Sequence, residues 1–220
     1  MLQLKAVKKS YTQGSDTIEI FEKLDFTLND AQSVAIMGKS GSGKSTFLSL
    51  VSGIIKPDAG AIDLNGTSYS DLSEGDLNDF RASHIGFIFQ NFHLVSYLNA
   101  LENVMLPAKV CHIADPKKKA IELLEHVSLS HRLNHLPSEL SGGEKQRVAI
   151  ARALIHNPKI ILADEPSGNL DEETGKAVMD KLFELVKQNN TTLILVTHSK
   201  DVANRCEMIY QLNSGHLSLC

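Results

Sequence analysis

The 220-residue sequence predicts an α/β fold, with a largely parallel sheet covered by helices, a small antiparallel piece near the N-terminus and a helical insert. Three observations predict it. Four short apolar runs alternate with helical patterns, an Asn65-Gly66 pair closes a fifth run, and the stretch from about residue 91 to 157 carries helix signals without strong strand signals.

Residues 33–37, 85–89, 160–163 and 192–196 are brief, apolar and often β-branched, which suits strands buried on both faces. The run at 61–64 ends at Asn65-Gly66, a pair that accepts the positive φ angles of a tight hairpin. In the helical insert, Asp115 stands as an N-cap before Pro116 at the first helical position. No linker, low-complexity tract or repeat divides the chain. The expectation is one domain over residues 1–220, with a core of about 1–90 and 158–220 and a helical subdomain of about 91–157.

Composition narrows the function. The net charge is −4, and the one compact basic run, Lys117-Lys118-Lys119, reads as a solvated helix face, so no nucleic-acid partner is expected. Cys111, Cys206 and Cys220 form no Cys-x-x-Cys pair, which fits a reducing compartment. A membrane span needs roughly 20 mostly apolar residues. The longest apolar runs here are far shorter, so contact with a membrane is expected only through a partner.

The chemistry begins at Gly38-Lys39-Ser40-Gly41-Ser42-Gly43-Lys44-Ser45, which matches Gly-x-x-x-x-Gly-Lys-Ser/Thr between an expected strand and a helical run starting at Thr46. Glycines let backbone N–H groups curl around phosphate oxygens, the helix N-terminus adds partial positive charge, and Lys44 adds a full one. Ser45 offers a hydroxyl to Mg2+. A plain glycine-rich turn is the alternative, and the strand, loop and helix in order favour a nucleotide. The run at 160–163 then ends in Asp164 and Glu165. Asp164 can hold Mg2+ through water, and Glu165 can orient and activate an attacking water. A strand that merely ends in solvated acids is the bland reading, and the phosphate loop weighs against it.

Leu140-Ser141-Gly142-Gly143-Glu144-Lys145-Gln146-Arg147 precedes a helical run at 148–154, with Ser141 placed to cap it. Serine and two glycines there expose backbone donors for a second anion site. With this octet the sequence resembles, over essentially its whole length, the ATP-binding cassette (ABC) family. The resemblance implies a P-loop NTPase cassette with a RecA-like core sheet, hydrolysis of ATP with Mg2+, and a head-to-tail homodimer. In such a dimer Ser141, Gly142 and Gly143 of one subunit close on the ATP cradled by residues 38–46 of the other.

The remaining family positions follow from the same resemblance. Tyr11 looks like the aromatic that stacks on adenine, and read alone it is equally a strand aromatic. Gln90 looks like the glutamine that touches Mg2+ and the attacking water. Asp171, in Ser167-Gly168-Asn169-Leu170-Asp171, resembles the aspartate of the loop that communicates across the dimer. His198 resembles the switch histidine that contacts the γ-phosphate and positions Glu165. Three departures bear on rate: Ser199 stands where many relatives carry Asp, Ser167 replaces the commoner Thr, and Lys39 adds charge within the phosphate loop.

Residues 91–108, with Asn99-Ala100-Leu101-Glu102-Asn103-Val104, and the closing Asn204-Arg205-Cys206-Glu207 are similar to the lipoprotein-releasing and macrolide-exporter subgroup (LolD, MacB and YbbA-like). That similarity implies a peripheral subunit at the cytoplasmic face of the inner membrane, partnered by a permease subunit with an extracytoplasmic domain. Leu94, Val95, Tyr97 and Leu98 then either accept the partner's cytoplasmic helix or belong to the core. Two other functions remain in view: an ATP-dependent regulatory subunit that moves no cargo, and a soluble cassette acting on DNA or ribosomes. The latter usually carries a long coiled coil or two cassettes, and each motif here occurs once.

Overall fold

A computed structural model describes residues 1–14 and 16–220. In chain order the elements are β1 (Leu2–Gln13), β2 (Asp16–Leu28), β3 (Ser33–Met37), α1 (Lys44–Val51), β4 (Ala59–Leu64), β5 (Thr67–Ser68), α2 (Glu74–His84) and β6 (Ile85–Ile88). There follow α3 (Ala100–Val110), α4 (Pro116–His126), α5 (Gly142–Leu154), β7 (Ile160–Asp164) and α6 (Glu172–Gln188). The chain closes with β8 (Thr192–Val196), α7 (Lys200–Ala203), β9 (Met208–Asn213) and β10 (His216–Leu219). These elements form two compact units, residues 1–81 with 192–220, and residues 82–191.

The first unit holds an antiparallel sheet in the order β2-β1-β4-β5. Its inner face is built by alternation: Leu2 and Leu4 of β1, Phe21, Leu24, Phe26 and Leu28 of β2, and Ile62 and Leu64 of β4 are buried. Register follows the same residues, with Leu2 opposite both Leu28 and Leu64. Asn65 (φ 53°) and Gly66 (φ 80°) make the expected turn between β4 and β5. In the same unit β3 lies between β8 and β9, parallel to both, while β10 pairs antiparallel with β9. Val34, Ala35 and Ile36 of β3 and Leu193 to Val196 of β8 are fully buried, which is why these strands read as continuous apolar runs.

In the second unit β6 pairs parallel with β7, from Ile85 opposite Ile160 to Ile88 opposite Ala163. Helix α5 packs against α3, α4, α6 and β6. Val148, Ala149, Ile150, Ala151, Ala153 and Leu154 bury almost its whole circumference, and the three alanines keep its neighbours close. Asn99 and Glu102 form a capping box at α3, and Asp115 accepts from the Lys118 backbone N–H at α4, with Pro116 in the first turn. The run at 94–98, which the sequence left between core and docking surface, divides. Tyr97 is 79% exposed, Leu94, Val95 and Leu98 are half-buried, and the buried Asn103 pins the segment through Val95 N–H and the carbonyls of Val95 and Leu98.

Four features go beyond the sequence expectations. The N-terminal antiparallel piece is a four-stranded sheet dominated by the 12- and 13-residue strands β1 and β2. The chain also ends in a β9–β10 hairpin turned at Ser214 and Gly215, and α2 lies between the two apolar runs it joins. Strand β6 stops at Ile88, so Phe89 begins the loop that carries Gln90.

Candidate functional site

The phosphate loop occupies residues 38–43, between β3 and α1 in the first unit. Gly43 is the N-cap of α1 with φ 100°, and a Cβ there would sit 2.9 Å from Ile20 and 3.2 Å from Phe21, so only glycine fits both the angle and the space. No side chain caps this helix and its first turn holds no acidic residue, which leaves its N–H groups and positive end for an anion. Lys44 donates to the carbonyls of Gly38 and Lys39, both at 2.8 Å, and so folds back over the loop it stabilises. Ser42 Oγ is buried with no hydrogen-bond partner, and a phosphate oxygen would satisfy it. Lys39, Ser40, Gly41 and Ser45 are exposed, and Thr46 is half-buried in the first turn of α1.

His198 reaches the same end of the sheet. Strand β8 runs parallel to β3 with Val196 opposite Ile36, and the Thr197 backbone N–H donates to the Ile36 carbonyl, so the exposed His198 leaves its strand where the phosphate loop begins. Ser199 then caps α7 by accepting from the Val202 N–H. Tyr11 projects from β1 opposite Ile18, exposed, with Lys9 Nζ 5.4 Å from its ring centre. An open ring on a strand suits stacking, and its cation contact is of ordinary strength.

The second unit carries the remaining positions. Asp164 ends β7, and Glu165 follows it with φ +44°, a left-handed conformation that costs a glutamate about 1–3 kcal/mol. The Gly168 N–H donates to the Glu165 carbonyl and closes the turn that holds it. Asp171 caps α6 by accepting from the Thr174 N–H at 2.9 Å, and this bond holds its carboxyl below the usual carboxylate range.

Ser141 caps α5 through a full capping box: its Oγ accepts from Glu144 N–H, and Glu144 accepts from Ser141 N–H at 2.8 Å. Glu144 also takes Arg132 at 2.9 Å. The Ser141 N–H and then the Arg132 guanidinium favour its charged form, so its carboxyl titrates below its ordinary value. Gly142 and Gly143 lie against Leu170 and Thr174, which sets the serine-glycine helix tip beside the Ser167–Asp171 loop of the same unit. Ser141→Ala is expected to destabilise the fold by about 1 kcal/mol through the lost cap. Urea unfolding of wild type and variant checks this, with equal midpoints as the contrary outcome.

Three residues that sequence reasoning passed over bind the loop after β6. Arg152 of α5 donates to the carbonyls of Phe92 (2.7 Å) and His93 (2.5 Å), holding two residues with positive φ. Gln146, fully buried on the same helix, reaches the Phe89 carbonyl at 3.5 Å. Asn169 binds Gln90 itself at 3.1 Å. For Arg152 and Gln146 the sequence signal was a pair of polar residues on an otherwise buried helix face, for Asn169 only its place in the loop at 167–171, and neither pattern names a partner.

Comparison with known proteins accords with this arrangement of parts. Residues 21–168 match the family model described as ABC transporter. The lipoprotein-releasing system ATP-binding protein LolD of Hydrogenovibrio crunogenus is 46% identical over 100% of this chain and 96% of its own length. LolD of Treponema denticola is 43% identical over 97% of this chain and 96% of its own. Among solved structures, the ATP-binding cassette MJ0796, a dimer in a post-hydrolysis state bound to ADP and Pi, superposes with a TM-score of 0.91. It is 39% identical and covers 99% of this chain and 97% of its own. Matched by the family model over residues 21–168 and by LolD over its full length, this chain belongs to the ABC transporter family, as a LolD-like ATPase subunit.

Proposed function

We propose that this chain is the motor of a lipoprotein-releasing membrane complex, in which two copies sandwich two ATP molecules and pass their closure to a permease subunit. The observation that carries this reading is the first turn of α1, uncapped, free of acids and crowned by Lys44 and the orphan Ser42 hydroxyl. ATP supplies the phosphoanhydride bond whose cleavage drives the cycle. Residues 38–46 bind its phosphates, Tyr11 stacks on its base, and Ser141, Gly142 and Gly143 of the second copy cover the γ-phosphate. Ser45, Gln90 and Asp164 supply a hydroxyl, an amide oxygen and a carboxylate, a hard-oxygen set of the kind Mg2+ prefers. Glu165 takes the proton of the attacking water, His198 holds Glu165 and the γ-phosphate in line, and Asp171 answers the second subunit.

No helix among the described residues is long and apolar enough to cross a membrane, so force is passed through a partner. A cleft of about 430 Å3 in the second unit, lined by Phe87, Phe89, Leu106, Pro107 and Val110, supports that partner's cytoplasmic helix as its occupant. Val110 is 65% exposed at its edge. The chain then works as a peripheral subunit on the cytoplasmic face of the inner membrane. Affinity capture of the tagged chain from membranes in mild detergent is expected to recover a permease subunit with an extracytoplasmic domain. Leu106→Glu is expected to lose it while still binding ATP. Capture of ribosomes or DNA in its place contradicts the reading.

A further inference from the structure

We propose that Asn169 is a positioning residue that fixes which end of the Gln90 amide faces a metal ion. The inference deepens the reading of Gln90 as an oxygen ligand of Mg2+ and rests on it.

An amide side chain is nearly symmetric in shape, with an oxygen on one side and an NH2 on the other. Only the oxygen can ligate a cation, so a glutamine free to turn over would present the wrong atom part of the time. Asn169 removes that freedom by a chain of constraints. The Gln90 main-chain carbonyl can only accept a hydrogen bond, so the Asn169 atom 3.1 Å from it must be Nδ2. The same Nδ2 donates to Asn91 Oδ1 at 2.8 Å, which occupies both of its hydrogens. Asn169 must then turn its oxygen the other way, and Oδ1 accepts only from a donor. The atom of Gln90 that meets it at 3.1 Å is therefore Nε2, and Oε1 faces away from Asn169.

The loop is shaped to permit this contact. A Cβ on Gly168 would lie 2.9 Å from Gln90 Nε2 and 3.3 Å from the Glu165 carbonyl, so a side chain there would push Gln90 off its partner. The turn that presents Asn169 is the same one that holds Glu165, since Gly168 N–H closes it on the Glu165 carbonyl. The orientation of the proposed metal ligand and the backbone of the proposed base are thus set by one four-residue turn, Glu165 to Gly168.

The test uses the full chain and reads binding, not turnover. The quantity is the gain in ATP affinity on adding Mg2+, measured by calorimetry in EDTA and then in excess Mg2+. Asn169→Leu, which keeps the side-chain size and deletes both polar atoms, is expected to cut that gain about fivefold, the worth of one neutral hydrogen bond. Affinity in EDTA stays at the parent value, because the phosphate loop is untouched. Asn169→Ala, which removes both the acceptor for Gln90 Nε2 and the donor to the Gln90 carbonyl, is expected to lose as much, and it carries the test if the leucine variant fails to fold. Gln90→Ala should show a loss of its own, and adding Asn169→Leu to it should lose nothing more. If Gln90→Ala keeps the full Mg2+ gain, the assignment of Gln90 to the metal falls and the inference with it. If Gln90→Ala loses the gain while both Asn169 variants keep it, or if the double variant loses additively, the inference alone is overturned. A drop in EDTA affinity equal to the drop in Mg2+ would assign Asn169 a purely structural role.

Discussion

Glu165→Gln is expected to leave ATP binding intact and to slow hydrolysis by at least about a hundredfold, the contribution of a positioned general base. The side chain keeps its size and can still hydrogen-bond, but an amide cannot accept a proton from water. The left-handed φ of +44° at this position makes the substitution a clean one, because glutamine meets the same backbone cost as glutamate. The melting temperature should therefore stay close to the parent's. Phosphate release under excess Mg2+ and ATP measures the rate, and calorimetry measures the binding. A variant that turns over at the parent rate would remove Glu165 from the role of base. A variant that loses binding in proportion to turnover would make it a ground-state ligand.

Lys44→Ala is expected to weaken ATP binding by about thirtyfold, roughly 2 kcal/mol, the scale of a hydrogen bond to a charged group. Its Nζ lies between the carbonyls of Gly38 and Lys39 at the mouth of the uncapped α1, so truncation removes the one full positive charge aimed at the phosphates from the helix's first turn. The two carbonyls it leaves can be met by water, so the fold should suffer little. Affinity unchanged in calorimetry would overturn the cradle assignment. Read together, the two variants separate binding from chemistry: Lys44→Ala loses the first and, with it, the second, while Glu165→Gln loses only the second.

What was legible in the sequence was what is contiguous along the chain. The phosphate loop needs only β3 before it and α1 after it, and all of its conformational demands fall on residues 38–44. The same holds for Ser141 and Glu144, three residues apart in one capping box, and for Asp115 with Pro116. The buried strands β3, β7 and β8 announced themselves because both faces are covered and four of the five residues in each are apolar. Strands β1 and β2 did not, because one face of each is exposed and register shifts around Val7 and Lys9 break the alternation that would mark them. Contacts between distant residues stayed out of reach as well. Gln90 and Asn169 are 79 residues apart, and Arg152 reaches back 59 and 60 residues to His93 and Phe92. Nothing in a local pattern tells an amide which carbonyl it will meet. The positive φ of Glu165 is likewise a product of the turn closed by Gly168, and a glutamate in sequence gives no sign of it.

The proposed function has one requirement, that a triphosphate lies between the phosphate loop of one copy and the serine-glycine helix tip of another. Sedimentation velocity of Glu165→Gln tests this most directly, because hydrolysis no longer dissolves the closed state. With Mg2+ and ATP the expected result is a species of twice the monomer mass carrying two nucleotides, and a return to monomer when Ser141→Arg blocks the helix tip. A monomer at every protein and nucleotide concentration, with ATP bound, would contradict it.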